Sequence, residues 1–349
     1  MVSPVNAACS LSVPTPDGSG QAVHPDVVYV PDGHLGYAYW MACTPYPFGI
    51  DTEENPIIRV SHDGIDWIPF PGAPDPLVSK PGRAGWHHAD TDLVLHNGSL
   101  HVFYISTATE GAGTTFSVIS STDGCRWTEP CEIYSAAWGV SPAVVVDDRG
   151  HWDMWYIYLD TLDPHAESQL LRRAGESPLR FGDVVACTLE IEGHRVWHID
   201  VVAVGAGFEA LVTAFPRNAD PSVSRLFHAY SPDGLDWRLS RVRPLLSRSS
   251  FGWDNRMIYR STFIKRGDGT YRIWYSACSW GMRCGIGYVE GPLDALSPLV
   301  GQSTHSAGLA VRIREDAAGL AKYGASRLLP ATIYAQLAAA RRHFSRGRR

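Results

Sequence analysis

The sequence predicts an all-β fold, a five-bladed β-propeller with a short helical C-terminal extension, and three observations carry that prediction. His-x-Asp occurs at His24-Pro25-Asp26, His88-Ala89-Asp90 and His198-Ile199-Asp200. Each copy is followed 33 to 37 residues later by Ser-x-Asp-Gly-x-x-Trp, at Ser61 to Trp67, Ser121 to Trp127 and Ser231 to Trp237. Two unrelated patterns that keep one phase at a period of about 55 to 60 residues mark an internal repeat of solenoid, propeller or array size. The third observation is that a β-rich run, a tight turn and an aromatic strand recur five times in that phase.

Taken in order, the opening runs are Val27 to Val30, Leu93 to Leu95, Ala143 to Val146, Val201 to Val204 and Ser261 to Ile264. Their aromatic or apolar partners are Tyr39 to Ala42, Val102 to Ile105, Met154 to Ile157, Ala210 to Thr213 and Ile273 to Ser276. Asp32-Gly33, Asn97-Gly98, Arg149-Gly150, Gly205-Ala206-Gly207 and Asp268-Gly269 stand between them, and such residues supply the positive φ of tight hairpins. The Ser-x-Asp-Gly boxes give a second turn, hence a third and fourth strand per unit, and Phe181 closes the drifted third copy. Four strands repeated five times is a propeller. A β-sandwich would not explain two motifs in constant phase.

Composition agrees. In 349 residues, 45% are hydrophobic, with 12 Trp and 15 Tyr to fill flat interfaces between blades. A net charge of −6 gives no nucleic-acid footprint, and no apolar run reaches the length of a membrane span. Seven scattered Cys without CxxC spacing indicate neither a zinc site nor a dense disulfide framework, although Cys125 and Cys131 could bridge a hairpin. The first residues lack a basic and apolar leader, so a cytoplasmic location is the default expectation, with release by another route left open. Oligomeric state is left open as well.

The propeller is expected to fill residues 1–292, with residues 1–20 closing the last blade. Residues 293–349 form the extension, where Pro330 opens a helix over Ala331 to Phe344 and a basic tail follows.

Propeller geometry then sorts the polar residues. The Ser-x-Asp-Gly boxes fall on the far face, where Ser and Asp satisfy turn backbone and Trp packs between blades. The His-x-Asp copies fall where inner strands enter the channel. With strict alternation, His24 and Asp26 share a side, as do His88 and Asp90, and His198 and Asp200, with Asp92 continuing the second set. Carboxylates crowded in one funnel separate their pKa values, which is what acid/base cleavage of a glycosidic bond requires. Trp86, Trp138, Trp197 and Trp253 sit near the starts of units, where they can stack on sugar rings or fill the core. Loop acids Glu53, Glu54, Glu110, Asp160, Asp163 and Asp220 face the same way. Asp254, Arg256 and Arg260 come from the fifth unit, where Arg clamps an anionic ligand group or holds Asp254.

These residues resemble the five-bladed propellers of glycoside hydrolase families 43, 32, 62 and 117, over roughly residues 22–292. The resemblance implies Asp26 as general base and Asp90 as the carboxylate that tunes pKa and orientation. At the third-blade position where family 43 carries its acid Glu, this chain has Ser141. Glu54, or a histidine such as His88 or His198, then has to donate the proton. The expected function is hydrolysis of a glycosidic bond in an oligo- or polysaccharide, arabinan among them, with Asp26, Asp90, Asp200 and Glu54 catalytic. His24, His88, His198, Asp92, Trp86, Trp138, Ser141, Asp254, Arg256 and Arg260 would bind the carbohydrate substrate. A catalytically silent carbohydrate-binding propeller is the alternative. No cofactor and no catalytic metal are expected, because His-x-Asp pairs on one strand give no zinc spacing. An oxygen-ligated structural calcium or sodium ion in the channel is compatible with the acids.

Overall fold

The computed structural model describes residues 10–108, 113–159 and 167–296. Glu110, Asp160 and Asp163, the start of the N-terminal segment, and the C-terminal helix and basic tail fall outside the described residues.

Five antiparallel sheets follow the chain. Blade 1 is β1 (Ala22–His34), β2 (Tyr37–Pro45), β3 (Ile57–Ser61) and β4 (Ile68–Pro69). Blade 2 is β5 (Trp86–His96), β6 (Ser99–Ala108), β7 (Thr114–Ser121) and β8 (Cys131–Ala136). Blade 3 is β9 (Gly139–Val146), β10 (Trp152–Leu159), β11 (Ser168–Ser177) and β12 (Arg180–Ala186). Blade 4 is β13 (His194–Val204), β14 (Gly207–Pro216), β15 (Arg225–Ser231) and β16 (Arg238–Leu239), with β17 (Leu246–Ser247) also paired to β15. Blade 5 has β18 (Met257–Lys265), β19 (Tyr271–Cys278) and β20 (Cys284–Gly291). Beside β20, the Leu11 amide donates to the Ile286 carbonyl at 2.7 Å, and Leu11 and Val13 pack with Ile286 and Tyr288.

Each opening run and aromatic partner pairs as a hairpin. The second strands carry the bulk of the core, with Trp40, Trp155 and Trp274 fully buried. The first hairpin turns later than Asp32-Gly33: β1 continues to His34, Gly33 lies inside it with φ 79° at a register shift, and the chain reverses at Leu35-Gly36.

The Ser-x-Asp-Gly boxes are joints between blades. In the first, Ser61 Oγ accepts the Gly64 amide at 2.9 Å, and Asp63 accepts Ile65 and Asp66 amides at 2.8 and 2.9 Å. The Gly64 carbonyl accepts the Trp274 indole at 2.7 Å across the closure between blades 1 and 5, and the Gly234 carbonyl accepts Trp155 in the same way between blades 4 and 3. A Cβ at either glycine would stand 2.9 or 2.6 Å from that indole, on backbone at φ 80° or 74°, so only glycine serves there.

Cysteine pairing differs from the expectation. Cys125 and Cys131 are free, and Cys278 is bonded to Cys284, its register partner across the β19–β20 hairpin.

Candidate functional site

All five inner strands break register in the stretch that enters the channel. Pairing is interrupted between Val23 and Asp26, Ala89 and Asp92, Val140 and Ala143, Val196 and His198, and Ile258 and Ser261. An extra residue on the inner strand at each point is a β-bulge, which bends the strand and re-aims side chains. His24, Asp90 and Ser141 occupy the bulges of the first three blades with φ of 54°, 52° and 61°, a region non-glycine residues seldom enter.

The bulges overturn the expected alternation. Counting from the register partners, His24, Asp90 and Ser141 are equivalent, and so are Asp26, Asp92 and Ala143. His88-x-Asp90 is therefore out of phase with His24-x-Asp26. His88 leaves the funnel, its Nδ1 2.8 Å from Ser106 Oγ and its Nε2 3.2 Å from the Ser79 carbonyl. Two tiers result where one cluster was expected.

The upper tier is His24, Asp90 and His198, one residue from each of three blades. His24 Nε2 lies 3.2 Å and His198 Nδ1 3.6 Å from Asp90 Oδ1. One donor atom of each lies within 4.8 Å of the others, and all three side chains are buried. Among the described residues, His24 Nε2, Asp90 Oδ1 and both His198 nitrogens have no hydrogen-bond partner. Buried polar atoms are seldom left so. Two imidazole nitrogens and a carboxylate oxygen converging on one point are the donor set of a divalent transition-metal ion, so these residues fit such an ion.

The surroundings favour that protonation state. Burial pushes His198 down to about 3, offset only in part by Asp90, so the ring is neutral with a lone pair to give. Burial opposes the Asp90 charge, but His24, His198, Arg260 and the Ser141 amide outweigh it and hold the carboxyl below its ordinary range. The Ser141 N–H lies 2.8 Å from Asp90 Oδ2. Ser141 in turn donates to the Ile199 carbonyl at 2.8 Å, tying blade 3 to blade 4. Glu54 Oε2 sits 3.0 Å from His24 Nδ1 and accepts Thr44 Oγ1 at 2.9 Å. The Asp90 amide donates to Nδ1 at 3.2 Å. These contacts on Nδ1 fix the ring so that its Nε2 edge faces Asp90 Oδ1.

A pocket opens above this tier. Trp138, Trp197, Phe215, Tyr46 and Tyr259 form much of its wall, and Tyr259 lies 4.7 Å from both His24 and His198. His87, buried with an unpartnered Nδ1, also lines it. The sequence patterns do not single out His87 or Tyr259, although the doubled His87-His88 is a visible signal.

The lower tier is Asp26, Asp92 and Asp200, also within 4.8 Å of one another, and none of them lines the pocket. Here carboxylates staple neighbouring blades. Asp26 accepts the Leu93 amide and Thr262 Oγ1, and Asp92 accepts the Val144 amide at 3.0 Å. Arg260 donates to Asp92 Oδ1 at 3.0 Å and to the Pro142 carbonyl at 2.7 Å. Burial, then repulsion from Asp26, pushes Asp200 up to about 8, and burial with Asp26 drives Asp92 well above its ordinary range.

The remaining residues scatter. Trp86 lies under Arg83, 5.0 Å from its ring, outside the pocket lining; Trp253 stacks on Tyr275 in the core. Asp254 accepts the Tyr275 hydroxyl at 3.3 Å, Asp220 caps the turn Pro221–Val223, and Glu53 pairs with Lys80 on the surface. Arg256 NH1 points to the Met282 thioether.

No family model matches the chain. The A type blood N-acetyl-α-D-galactosamine deacetylase of Flavonifractor plautii is 29% identical over 310 residues, covering 74% of this chain. The chain spans 40% of that relative's length. Among solved structures, an N-acetylgalactosamine deacetylase from F. plautii in complex with blood group B trisaccharide superposes with a TM-score of 0.74 at 24% identity, over 82% of this chain and 96% of that one. A thermostable family-43 glycoside hydrolase gives 0.57 at 14% identity, over 82% and 97%. An endo-arabinase from Bacteroides thetaiotaomicron gives 0.55 at 13%, over 81% and 97%. The fold is that of the five-bladed propeller glycoside hydrolases of family 43, and the proteins this chain is similar to are carbohydrate-active enzymes.

Proposed function

We propose that the funnel removes the acetyl group from an N-acetylated amino sugar, with His24, Asp90 and His198 holding a divalent cation. The observation that carries this reading is the upper tier itself: buried donor atoms from three blades, facing one another without hydrogen-bond partners among the described residues. Similarity to a named N-acetylgalactosamine deacetylase supports the same chemistry.

A cation held there would polarise the acetyl carbonyl and acidify a water near neutral pH. The chain does the rest. Glu54 fixes the His24 ring through Nδ1. Burial, then the nearby Glu54, Asp90 and Asp51 charges, keep the Tyr259 hydroxyl protonated, so it can donate to the acetyl oxygen as negative charge gathers there. His87 Nδ1 takes a proton from the attacking water and hands it to the amine nitrogen as the amide C–N bond breaks, so the water's oxygen leaves in acetate and its proton on the amine. Trp138, Trp197 and Phe215 cover the sugar and exclude bulk water.

Cleavage of a glycosidic bond is the second reading, favoured by the carboxyl groups of Asp51, Glu54 and Asp90, which share the pocket lining. One experiment separates them: acetate and reducing sugar are measured in parallel on N-acetylhexosamine glycosides and arabinan, before and after chelation and metal return. Acetate release that vanishes with chelator and returns with metal supports deacetylation. Reducing sugar without acetate would replace it with the glycosidase, and binding with neither product would leave a carbohydrate-binding propeller.

The Cys278–Cys284 disulfide supports an oxidising compartment over the cytoplasmic default, since such bonds rarely persist among cytosolic thiols. Mass mapping of alkylated thiols in protein from reducing and oxidising compartments checks this.

A further inference from the structure

Blade 5 carries a guanidinium, next in sequence to a residue of the pocket wall, and an indole against it that the proposed reaction does not use. The loop between β19 and β20 is closed at its neck by the Cys278–Cys284 bond. Within it, the Met282 amide donates to the Ser279 carbonyl and the Ser279 amide to the Arg283 carbonyl, both at 2.9 Å. The Trp280 amide donates to Asn255 Oδ1 at 3.1 Å. The backbone of Trp280 is thus pinned, yet its side chain is 57% exposed. An aromatic plate already ordered before a ligand arrives binds at low entropic cost.

Arg256, whose guanidinium carbon stands 5.5 Å from the Trp280 ring centre, is only 5% exposed. Among the described residues no carboxylate forms an ion pair with it; its Nε has no hydrogen-bond partner, and NH1 reaches the thioether of Met282, a weak acceptor. A buried guanidinium with no directly paired anion is unfavourable, so this position suits a negative group brought by a ligand. The pair adjoins the pocket. Met257, the next residue, lines it, and the nearby carboxylate that acts on Arg256 at a distance is Asp220, which caps the turn carrying the lining residues Pro221 and Ser222.

We propose that Arg256 and Trp280 form a second sugar subsite for a carboxylate-bearing, uronate-type ring linked to the sugar in the pocket. The guanidinium pairs with the carboxylate, and the indole stacks on the C–H face of the ring. One buried cation balances one negative charge. This rests on the carbohydrate reading of the funnel and deepens it.

Calorimetry tests it on the whole chain with two probes: a disaccharide of N-acetylgalactosamine and glucuronate, and the same disaccharide with glucose in place of glucuronate. Wild type should favour the acidic probe about tenfold, as one charge-assisted hydrogen bond implies, and the preference should shrink as salt rises. Arg256→Gln should bring the ratio near unity, and Arg256→Lys should keep part of it. Trp280→Ala, at an exposed position, should weaken both probes roughly fivefold. Equal affinity of wild type for both probes, or a preference that survives Arg256→Gln in a variant with unchanged melting temperature, overturns the subsite. Free glucuronate should compete with the acidic probe on wild type, and its failure to do so would count against the subsite without any variant. The titrations are run with chelator present, so that no acetyl group is released during them and failure of deacetylation and failure of the subsite remain separate results.

Discussion

His24, Asp90 and His198 stand above Asp26, Asp92 and Asp200 on the inner strands of the same three blades, and each set brings one polar atom per residue within 4.8 Å. Their surroundings differ. Below the bulges, Arg260, Thr262 and the amides of Leu93 and Val144 answer Asp92 and Asp26, and Asp200 Oδ2 alone is left without a partner among the described residues. Above them, the facing atoms His24 Nε2, Asp90 Oδ1 and His198 Nδ1 have no hydrogen-bond partner among the described residues and open on an aromatic pocket. Convergence of acids therefore does not define the site; facing donor atoms left unanswered beside an open pocket do. The lower tier closes the ring of blades, and the upper tier is left to act on a ligand.

Substitutions can break this comparison from either side. The largest effect is expected from Asp90→Ala, which should lower acetate release about a thousandfold or more and abolish metal uptake, while circular dichroism stays native. Equal activity with the variant would remove the upper tier from the chemistry. Asp92→Ala should instead act on stability: it strips buried Arg260 of its partner at 3.0 Å and should cost about 3–5 kcal/mol in urea unfolding. A change under about 1 kcal/mol would deny the lower tier its structural role.

A control outside both tiers sets the acid limit. His101, hydrogen-bonded to Ser120 and packed on Trp152, is pushed down to about 4, first by burial and then by His96. A base depressed in the fold binds its proton more readily when unfolded, so its contribution is full above the unfolded value near 6.5 and is lost as pH falls towards 4. With partial solvent screening allowed for, the loss should reach about 2 kcal/mol between pH 7 and 4. His101→Gln should flatten that part of the profile in urea titrations. The smallest effect sharpens the upper tier: Glu54→Gln weakens the hold on His24 and should lower metal affinity or turnover about 10- to 100-fold. A full loss there would instead make Glu54 a direct participant in the reaction.

Much of the architecture was legible. The hairpins at Tyr39 to Ala42 and its four counterparts follow from turn chemistry and alternating burial, which are local. The Ser-x-Asp-Gly-x-x-Trp boxes were readable because each satisfies its own backbone within a few residues. Glu54, Asp90, His24, His198 and Trp138 were also readable as funnel residues. The separation into tiers was not, because a bulge adds one residue to one strand and leaves no mark in composition. The misphased His88-Ala89-Asp90 shows the cost: sequence spacing paired His88 with Asp90, while the backbone paired Asp90 with His24.

Periodic burial and turn residues, acting over a few positions at a time, were enough for the sequence alone to determine five antiparallel units, their joints and the face that gathers histidines and carboxylates. Only the closed ring decided which of those groups meet. Asp90, 66 residues beyond His24, and His198, further along still, become its neighbours through rotation about the channel and the bulges of the inner strands. Whether each one is answered by an amide, a guanidinium or nothing depends on the blade beside it.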